Sequence, residues 1–300
     1  MQKQQYPKPI QLKHNRWTYQ NPDKTLWTEI YGKKAIFYDA WNFEDGFAVV
    51  RLKDGWTFVD VACNLWKQRF EHLRNFREGL ACVKPYLKSY TFMDANGNFW
   101  KKSFQLVSDF HEGLSGVMMD DGWTFVDKDC NIWKQRYKFV YPFCEGMASV
   151  QLKDGFYTFV DKSGYQWDCK FCSSTSFNKG LAIVNREFDV RPKYIDKYQN
   201  FWDRHQADIF YDIYDRPEVI FELDSNIVND KKFFRTALSV IKQKINDMQK
   251  DHSEKEVTKY KETLNKDLQL MFSNIIEEIR QDISLYKSLH VLDEHKSKDI

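Results

Sequence analysis

The residues of this chain best suited to chemistry are a closely spaced pair of cysteines. Cys169 and Cys172 are separated by two residues, a spacing found in redox sites and in one half of many zinc sites. Zinc would need two further ligands at a similar spacing, and the sequence has no second such pair of Cys or His. A thioredoxin-type pair stands before a helix, whereas this pair lies among predicted strands. We predict two core or surface thiols, and an enzyme or redox protein centred on this pair is the alternative.

Aspartate is the second candidate, because it recurs with a fixed period. A row of carboxylates could bind cations, but each of these residues opens a turn such as Asp94-Ala95-Asn96-Gly97-Asn98. An Asp side chain at that point hydrogen-bonds the turn backbone, so turn capping explains the same recurrence. The seven histidines are scattered, and neither a Ser-His-Asp or Cys-His arrangement nor a Gly-rich phosphate loop stands out. The sequence therefore predicts no enzyme, no catalytic residue, no cofactor and no metal. The periodic aspartates are Asp60, Asp94, Asp127, Asp161 and Asp196.

The aspartates belong to a tandem repeat with three landmarks. A start turn of the form Phe-x-x-Gly comes first, and its glycines are 33, 34, 33 and 34 residues apart. A strand such as Trp123-Thr124-Phe125-Val126-Asp127 follows, and a Trp stands six residues after its Asp. Trp17 and Trp27 mark a half copy near the N-terminus. The start glycines of the five copies are Gly46, Gly79, Gly113, Gly146 and Gly180, and the later tryptophans are Trp66, Trp100, Trp133, Trp167 and Trp202.

Each copy is predicted to form about three short strands joined by two tight turns. Asp-Gly pairs such as Asp121-Gly122 favour hairpins between β-rich runs, because Gly accepts a positive φ. One copy cannot bury its own aromatic face, so neighbouring copies must stack. The sequence predicts a mainly β repeat array, a β-hairpin solenoid, followed by a C-terminal α-helical hairpin or coiled coil. A five- to six-bladed propeller-like closure is the alternative, ranked second because about 33 residues are few for a four-stranded blade.

The repeat resembles the bacterial WG-repeat family, also known as WG-containing or KWG repeats. The resemblance covers about residues 41–203 and rests on start turns such as Glu78-Gly79 and on the aromatic strand that ends in Asp. One position departs from the family pattern, because threonines such as Thr57 and Thr124 stand where the family has the Gly of Trp-Gly. The resemblance implies an all-β array used as a binding or scaffolding surface, and it implies no catalytic residues.

The composition changes from about residue 230, where Lys, Glu, Asp and Ile take over. Asp230 and a capping box formed by Ser253 and Glu256 predict two helices, ending near Lys250 and His290. The apolar stripe of the second helix predicts an oligomerisation surface formed by Leu264, Leu268, Met271, Ile275, Ile279 and Ile283. The predicted organisation is a half repeat and cap at 1–40, tandem repeats at 41–203, a transition at 204–229 and the helices at 230–300.

Composition and charge limit the partners. The formal net charge is +2 with a pI of about 8.0, whereas a dedicated nucleic-acid binder usually has a strong basic excess. No run of about 18 apolar residues occurs, and the first residues carry no apolar segment of the signal-peptide kind. We therefore expect no membrane contact and reduced cysteines in the cytoplasm. The predicted binding surface of the array is a ladder of tryptophans with neighbouring lysines, formed by Trp66, Trp100, Trp133, Lys67 and Lys134.

These features favour a non-enzymatic scaffold that binds protein partners through its repeats and uses the helical tail for oligomerisation or docking. A homo-oligomer through the C-terminal helices is part of this prediction. A carbohydrate- or cell-surface-binding module is one alternative, and it would need the three ladder tryptophans to face solvent. A structural component of a phage or another large assembly is the other. The sequence identifies no particular partner.

Overall fold

The chain forms two compact units, Gln2–Ser176 and Phe177–Ile300, in the computed structural model of the protein. The first unit is built from strands, and the second begins with strands and continues with helices. The residues that the structure describes are 6–27, 29–30, 33–187, 189, 191–223, 227 and 230–296.

Short antiparallel strands make up the first unit. They are β1 (Lys8–Leu12), β2 (Arg16–Gln20), β3 (Glu29–Ile30), β4 (Lys33–Lys34), β5 (Asp39–Ala40), β6 (Phe47–Leu52), β7 (Gly55–Asp60), β8 (Phe70–Arg77), β9 (Leu80–Pro85), β10 (Thr91–Asp94), β11 (Leu106–Val107), β12 (Leu114–Met119), β13 (Gly122–Asp127), β14 (Phe139–Val140), β15 (Met147–Gln151), β16 (Tyr157–Asp161) and β17 (Ser173–Ser174). β1 pairs with β2 and β3 with β4, while β5 to β10 form one six-stranded sheet in sequence order. β11 to β13 and β14 to β16 each form a three-stranded sheet. The strands stay short because a tight turn follows each aromatic run.

The third copy shows how one repeat folds. Its hairpin joins β12 to β13 through Gly122, whose φ of 129° a residue with a side chain rarely adopts. A Cβ at this position would lie 2.8 Å from the carbonyl oxygen of Tyr137, so the turn also needs the missing side chain. β11 pairs with β12 as the edge strand. A return segment follows β13, and its Trp133 N–H donates to the carbonyl oxygen of Phe125 at 2.9 Å.

Aromatic rings fill the core of the first unit. In the third copy the ring of Phe125 lies 4.9 Å from that of Phe143, in the next start turn, and 5.0 Å from that of Trp133. The rings meet edge-on, the arrangement that aromatic quadrupoles favour. Equivalent trios are formed by Phe58, Phe76 and Trp66, and by Phe92, Phe110 and Trp100. The predicted array, mainly β and made of small antiparallel sheets, is confirmed.

The second unit starts with three paired strands and continues with helices. Its elements are β18 (Leu181–Asn185), β19 (Lys193–Asp196), β20 (Phe201–Trp202), α1 (Arg204–Asp215), a 3-10 helix (Pro217–Phe221), α2 (Lys231–Asp251) and α3 (Glu254–Lys296). β19 pairs with β18 and with β20. Asp230 accepts from the Lys232 N–H at the start of α2, and Ser253 and Glu256 form the capping box of α3. The side chains expected to start these two helices therefore do so.

Helix α1 lies in the segment to which the sequence analysis assigned no secondary structure. Asp203 accepts from the Gln206 N–H, and the Gln206 side chain accepts from the Asp203 N–H, so a second capping box starts this helix. Phe210 of α1 stacks on Phe233 of α2 with ring centroids 4.7 Å apart, and Trp202 packs against both. In the described part of the chain, no helix combines the length and apolar character that a membrane crossing needs.

Candidate functional site

The start turns link each copy to the one that follows. Glu112 has a φ of 54°, and its carboxylate accepts from the backbone N–H groups of Glu145 and Gly146 at 2.6 and 2.8 Å. Lys162 Nζ lies 3.0 Å from the same carboxylate. Burial would raise the pKa of Glu112, but the hydrogen bonds from Lys162 and Gly146 outweigh it and hold that pKa below its usual value. Earlier copies have the same links. The Glu78 carboxylate accepts from the Gly113 N–H, and the Asp45 carboxylate accepts from the Gly79 N–H.

The periodic aspartates cap the second turn of each copy. Asp127 accepts from the backbone N–H groups of Asp129 and Asn131 at 3.0 and 2.8 Å, and from the Asn131 amide at 2.8 Å. Asp94 binds the same positions of its own turn. The carboxylates thus have the turn-capping role that the sequence predicts. Within the described ranges, no group of three or more His, Cys, Asp or Glu side chains could hold a metal ion.

The threonines at the position of the family glycine fasten the return segment. The Thr57 hydroxyl donates to the carbonyl oxygens of Trp66 and Gln68 at 3.2 and 2.8 Å, and the residue is completely buried. A buried hydroxyl needs such a partner, so Thr is accommodated here without loss. The departure from the family pattern therefore adds at least one side-chain bond to each of the first four copies. The equivalent donors to a Trp carbonyl are Thr18, Thr91, Thr124 and Thr158.

The ladder tryptophans are half-buried and pack within the array. The ring of Trp66 lies 5.3 Å from that of Phe58, and on its other side it approaches the turn of the next copy at Gly97. Trp100 and Trp133 are half-buried in the same way. Lys67 and Lys134 are exposed. The predicted binding residues therefore divide into indole rings that hold copies together and lysines that face solvent.

Arginines beside the ladder bind the chain's own backbone. Arg136 Nη1 donates to the carbonyl oxygens of residues 133–135 at 2.6 to 3.1 Å, and its Nε lies 2.7 Å from Asp121. Arg69 makes the equivalent contacts in the first copy, with its Nε 3.0 Å from Asp54. These two guanidinium groups close the return segments, so they add little to a free basic stripe.

A second set of aromatic residues lies at the surface, and the sequence analysis missed it. In the fourth copy Phe139 and Tyr141 are exposed with ring centroids 5.1 Å apart, and Phe139 lies 5.2 Å from Trp123. In the first copy the exposed Trp41 lies 5.8 Å from Trp56. These residues stand on or beside two-residue edge strands, which are too short for alternation to show in the sequence. Their spacing in sequence from the buried aromatic residue of the return segment is the signal that could have revealed them.

Burial raises the pKa of several of the cysteines. It raises the pKa of Cys63 to about 11 and that of Cys82 to about 12, and it also raises the pKa of Cys169. A thiol with a raised pKa holds little thiolate at neutral pH, and the thiolate is the form that attacks or binds metal. Cys169 therefore holds little thiolate at neutral pH.

Part of the predicted oligomerisation stripe lies in the core of the second unit. Leu264 and Leu268 of α3 are buried in a cluster with Phe210 and Phe234, and Ile275 packs against the same cluster. These three residues thus contact their own chain. The side chains that lie outside the described residues are those of Met271, Ile279 and Ile283.

Comparison with known sequences identifies the repeat. Residues 34–56, 90–123 and 123–156 match the sequence profile of the WG containing repeat. The chain therefore carries repeats of the WG family, as its start turns and aromatic strands predict. A comparison with curated protein sequences gives no match.

Solved structures offer only distant likenesses. The chain is similar to the computationally designed Ika8 protein at 12% identity, over 64% of this chain and 72% of that one, with a TM-score of 0.35. A streptogramin B lyase matches at 10% identity, over 66% and 72%, with a TM-score of 0.33. Hsv2 of Kluyveromyces lactis matches at 10% identity, over 53% and 61%, with a TM-score of 0.36. Likenesses with TM-scores of this size carry no functional argument.

Proposed function

We propose that this chain is a non-enzymatic scaffold whose WG repeats bind protein partners through their outer surface. One observation carries the proposal, a contrast between inner and outer positions of the repeat. The residues that recur from copy to copy make bonds or contacts inside the array. The surface positions of the edge strands carry a different residue in each copy.

The recurring residues are occupied by the fold. Asp127 caps a turn, Thr124 fastens a return segment, Glu112 binds the following copy and Trp133 packs between rings. Their polar atoms already have internal partners, so the periodic landmarks supply structure. Conserved geometry with occupied polar groups is what a stacked repeat needs to hold its copies together.

The surface positions differ from copy to copy. The position four residues after the buried aromatic of the return segment is exposed Trp41 in the first copy, exposed Arg74 in the second and exposed Tyr141 in the fourth. A stable scaffold that varies side chains at fixed surface positions can recognise one partner along several copies. Exposed aromatic residues are also the type that anchors protein interfaces. The full series at this position is Trp41, Arg74, Ser108, Tyr141 and Thr175.

The helices are proposed to serve oligomerisation or docking through the far part of α3. The helix has 43 residues, which corresponds to a length of about 65 Å. Its described buried residues run only from Val257 to Ile276, and Phe272 interrupts the helical backbone at a φ of −129°. A helix of this length could both pack on its own chain and pair with a second chain.

Affinity purification of the tagged full chain from its native cells, with mass measurement of the intact complex, tests the scaffold proposal. We expect a bound protein at fixed stoichiometry. The triple variant Trp41→Ala, Phe139→Ala, Tyr141→Ala is expected to reduce capture at least about tenfold, because exposed aromatic anchors dominate interface energy. Thr175→Ala, at an equivalent position without an aromatic ring, serves as the control. A monomer with no bound protein would contradict the proposal.

The array is proposed to be an open hairpin solenoid in the cytoplasm. A closed propeller-like ring is the alternative arrangement, and the short repeat supports the open form. Small-angle scattering of the full chain distinguishes the two arrangements, because an open stack has a larger maximum dimension than a closed ring.

A further inference from the structure

The hairpin turn of the second copy differs from those of the first, third and fourth copies. The first, third and fourth copies turn at Asp-Gly, and the turn glycines Gly55, Gly122 and Gly155 all have positive φ. The second copy has the segment 85–89 instead, Pro-Tyr-Leu-Lys-Ser, without a glycine. This copy therefore replaces a compact polar turn by a larger apolar one.

Leu87 is the unusual residue of this turn. Its φ is 61°, in the left-handed region, and its side chain is 100% exposed. A left-handed backbone is costly for a residue with a Cβ, and full exposure of a Leu gains nothing within this chain. A strained and exposed apolar residue persists where something other than the fold uses it.

The neighbouring residue holds the turn in place. The hydroxyl of Tyr86 donates to the carbonyl oxygen of Asp54 at 3.3 Å, in the turn of the first copy. The same hydroxyl occupies the space above Gly55, where a Cβ would lie 2.5 Å from it. Tyr86 thus ties the turn back to the array, while Leu87 projects into solvent.

A groove of about 490 Å³ lies beside Leu87. Pro85, Leu87 and Phe99 supply apolar surface, and Phe99 is 43% exposed. Lys88 and Lys101 line the same groove, and no carboxylate is among its lining residues. Across the described residues neither lysine forms an ion pair. The groove therefore offers apolar contact flanked by unneutralised positive charge.

We propose that this groove binds an acidic segment of a partner protein that carries an apolar anchor residue. The apolar side chain packs on Leu87 and Phe99, and acidic side chains pair with Lys88 and Lys101. This assignment rests on the proposed scaffold function and states which partner chemistry the second copy selects. Charge complementarity decides the chemical class of the partner segment, because two lysines with no internal partner favour carboxylates.

Single-stranded nucleic acid fits the groove less well. Its recognition needs positive charge that follows several phosphates, together with stacking platforms. Here the two lysines of the groove lie in one copy, its one exposed ring is that of Phe99, and the chain as a whole carries a net charge of only +2. The favoured occupant is therefore a peptide segment.

Fluorescence anisotropy with the full chain tests the proposal. The probe is a labelled peptide in which Glu and Asp surround two Leu residues, and the comparison peptide has Lys in place of the acids. We expect saturable binding of the acidic peptide only, weakened by added salt because exposed charges are screened. Leu87→Gly is expected to weaken binding about tenfold, the value of one buried apolar side chain. The melting temperature should stay unchanged or rise, because Gly relieves the left-handed backbone.

Charge variants complete the design. Lys88→Glu with Lys101→Glu is expected to weaken binding more than tenfold, whereas Lys153→Glu, in the turn of the fourth copy, should leave it unchanged. Equal binding of both peptides, or no saturable binding of the acidic one, would overturn the proposal. Binding of labelled oligo-deoxythymidine with the same lysine dependence would also overturn it, in favour of nucleic acid. If a native partner is captured equally by wild type and Leu87→Gly, the scaffold function stands and the groove assignment fails.

Discussion

The start turns of the third and the last copies carry side chains of opposite charge at the same position. In the third copy Glu112 has a left-handed backbone and binds the N–H groups of the next start turn. In the last copy the equivalent residue is Lys179, with nearly the same φ of 53°, and no further copy follows it. Lys179 Nζ instead lies 2.9 Å from Asp215, at the end of α1, where the helix dipole also favours a cation. The charge at this position thus distinguishes a copy that continues the array from one that ends it.

The capping aspartates show the same contrast in burial. Asp127 of the third copy is half-buried and bonds only within its own turn. Asp196 of the last copy is 1% exposed and accepts additionally from the Trp202 indole N–H and from the Thr236 hydroxyl of α2. The last copy is therefore fixed to helices through groups that are ordinary turn caps elsewhere. The position of a landmark residue in the array, more than its residue type, decides how much it contributes to stability.

Removal of the Asp196 carboxylate is the most severe test of this contrast. Asp196→Ala leaves the buried donors of Trp202 and Thr236 and those of its own turn without an acceptor, so we expect a loss of about 3–4 kcal/mol in the free energy of unfolding. Asp127→Ala, the matched control, should cost about 1 kcal/mol because water can replace its bonds. Chemical denaturation followed by circular dichroism measures both. Equal losses would remove the distinction between inner and terminal caps.

The start glycines allow a second comparison between an inner copy and the last copy. All five have φ between 83° and 88°, but a Cβ at Gly180 would lie 2.8 Å from Val240 Cγ2, whereas nothing lies within 4 Å at Gly146. Gly146→Ala should cost about 1 kcal/mol for the left-handed backbone. Gly180→Ala should cost about 2–4 kcal/mol, because overpacking against α2 is added. Adding Val240→Ala to the second variant should recover stability relative to Gly180→Ala alone, and failure to do so would place the cost in the backbone.

The forward link through Glu112 should be sensitive to acid. Glu112→Gln is expected to cost about 1 kcal/mol at neutral pH, because one of the two backbone bonds and the charge are lost. The pKa of Glu112 is lowered in the folded chain, so its contribution is complete above the unfolded-state value of about 4.3 and disappears as pH falls through the folded value. The stability difference between wild type and Glu112→Gln should therefore shrink below about pH 4. A difference that is constant with pH would show that the carboxylate charge does not matter.

The smallest expected effect has the opposite sign. Tyr137 stands where the first, second and fourth copies have Phe, its ring is buried, and within the described residues its hydroxyl has no hydrogen-bond partner. Burial also raises the pKa of this hydroxyl to about 12. Tyr137→Phe should raise the free energy of unfolding by about 1 kcal/mol, because an unsatisfied buried group is removed. Phe104→Tyr, at the equivalent position of the second copy, is the reciprocal control and should lower the free energy of unfolding. A destabilised Tyr137→Phe would indicate a bound water at the hydroxyl.

The sequence allowed the array to be predicted because its landmarks are spaced by turns. Glycines with positive φ and capping aspartates are local signals, and they place the strands within each copy. Helix α1 could also have been predicted, because Asp203 and Gln206 stand at capping-box spacing. What Thr57 does was beyond local reasoning, since its acceptors are carbonyl groups nine and eleven residues away.

The binding surface was harder to predict than the fold. Trp66 and Lys67 are adjacent in sequence, yet one packs inside the array and the other faces solvent. The exposed aromatics Trp41 and Tyr141 adjoin strands of only two residues, where no periodicity is visible. Leu87 looks like an ordinary loop residue until its backbone angle and exposure are known. Surface roles depend on which side a neighbouring copy covers, and that is not a local property.

The hydroxyls and guanidinium groups that close the return segments have a consequence for aggregation. Free carbonyl groups in a row are a template on which another chain can add a strand. In residues 66–68 all three carbonyl oxygens accept from Arg69, and two of them also accept from Thr57. Arg136 covers residues 133–135 in the same way. A protein made of many short sheets would otherwise expose many such templates, so these side chains keep the array from pairing with itself.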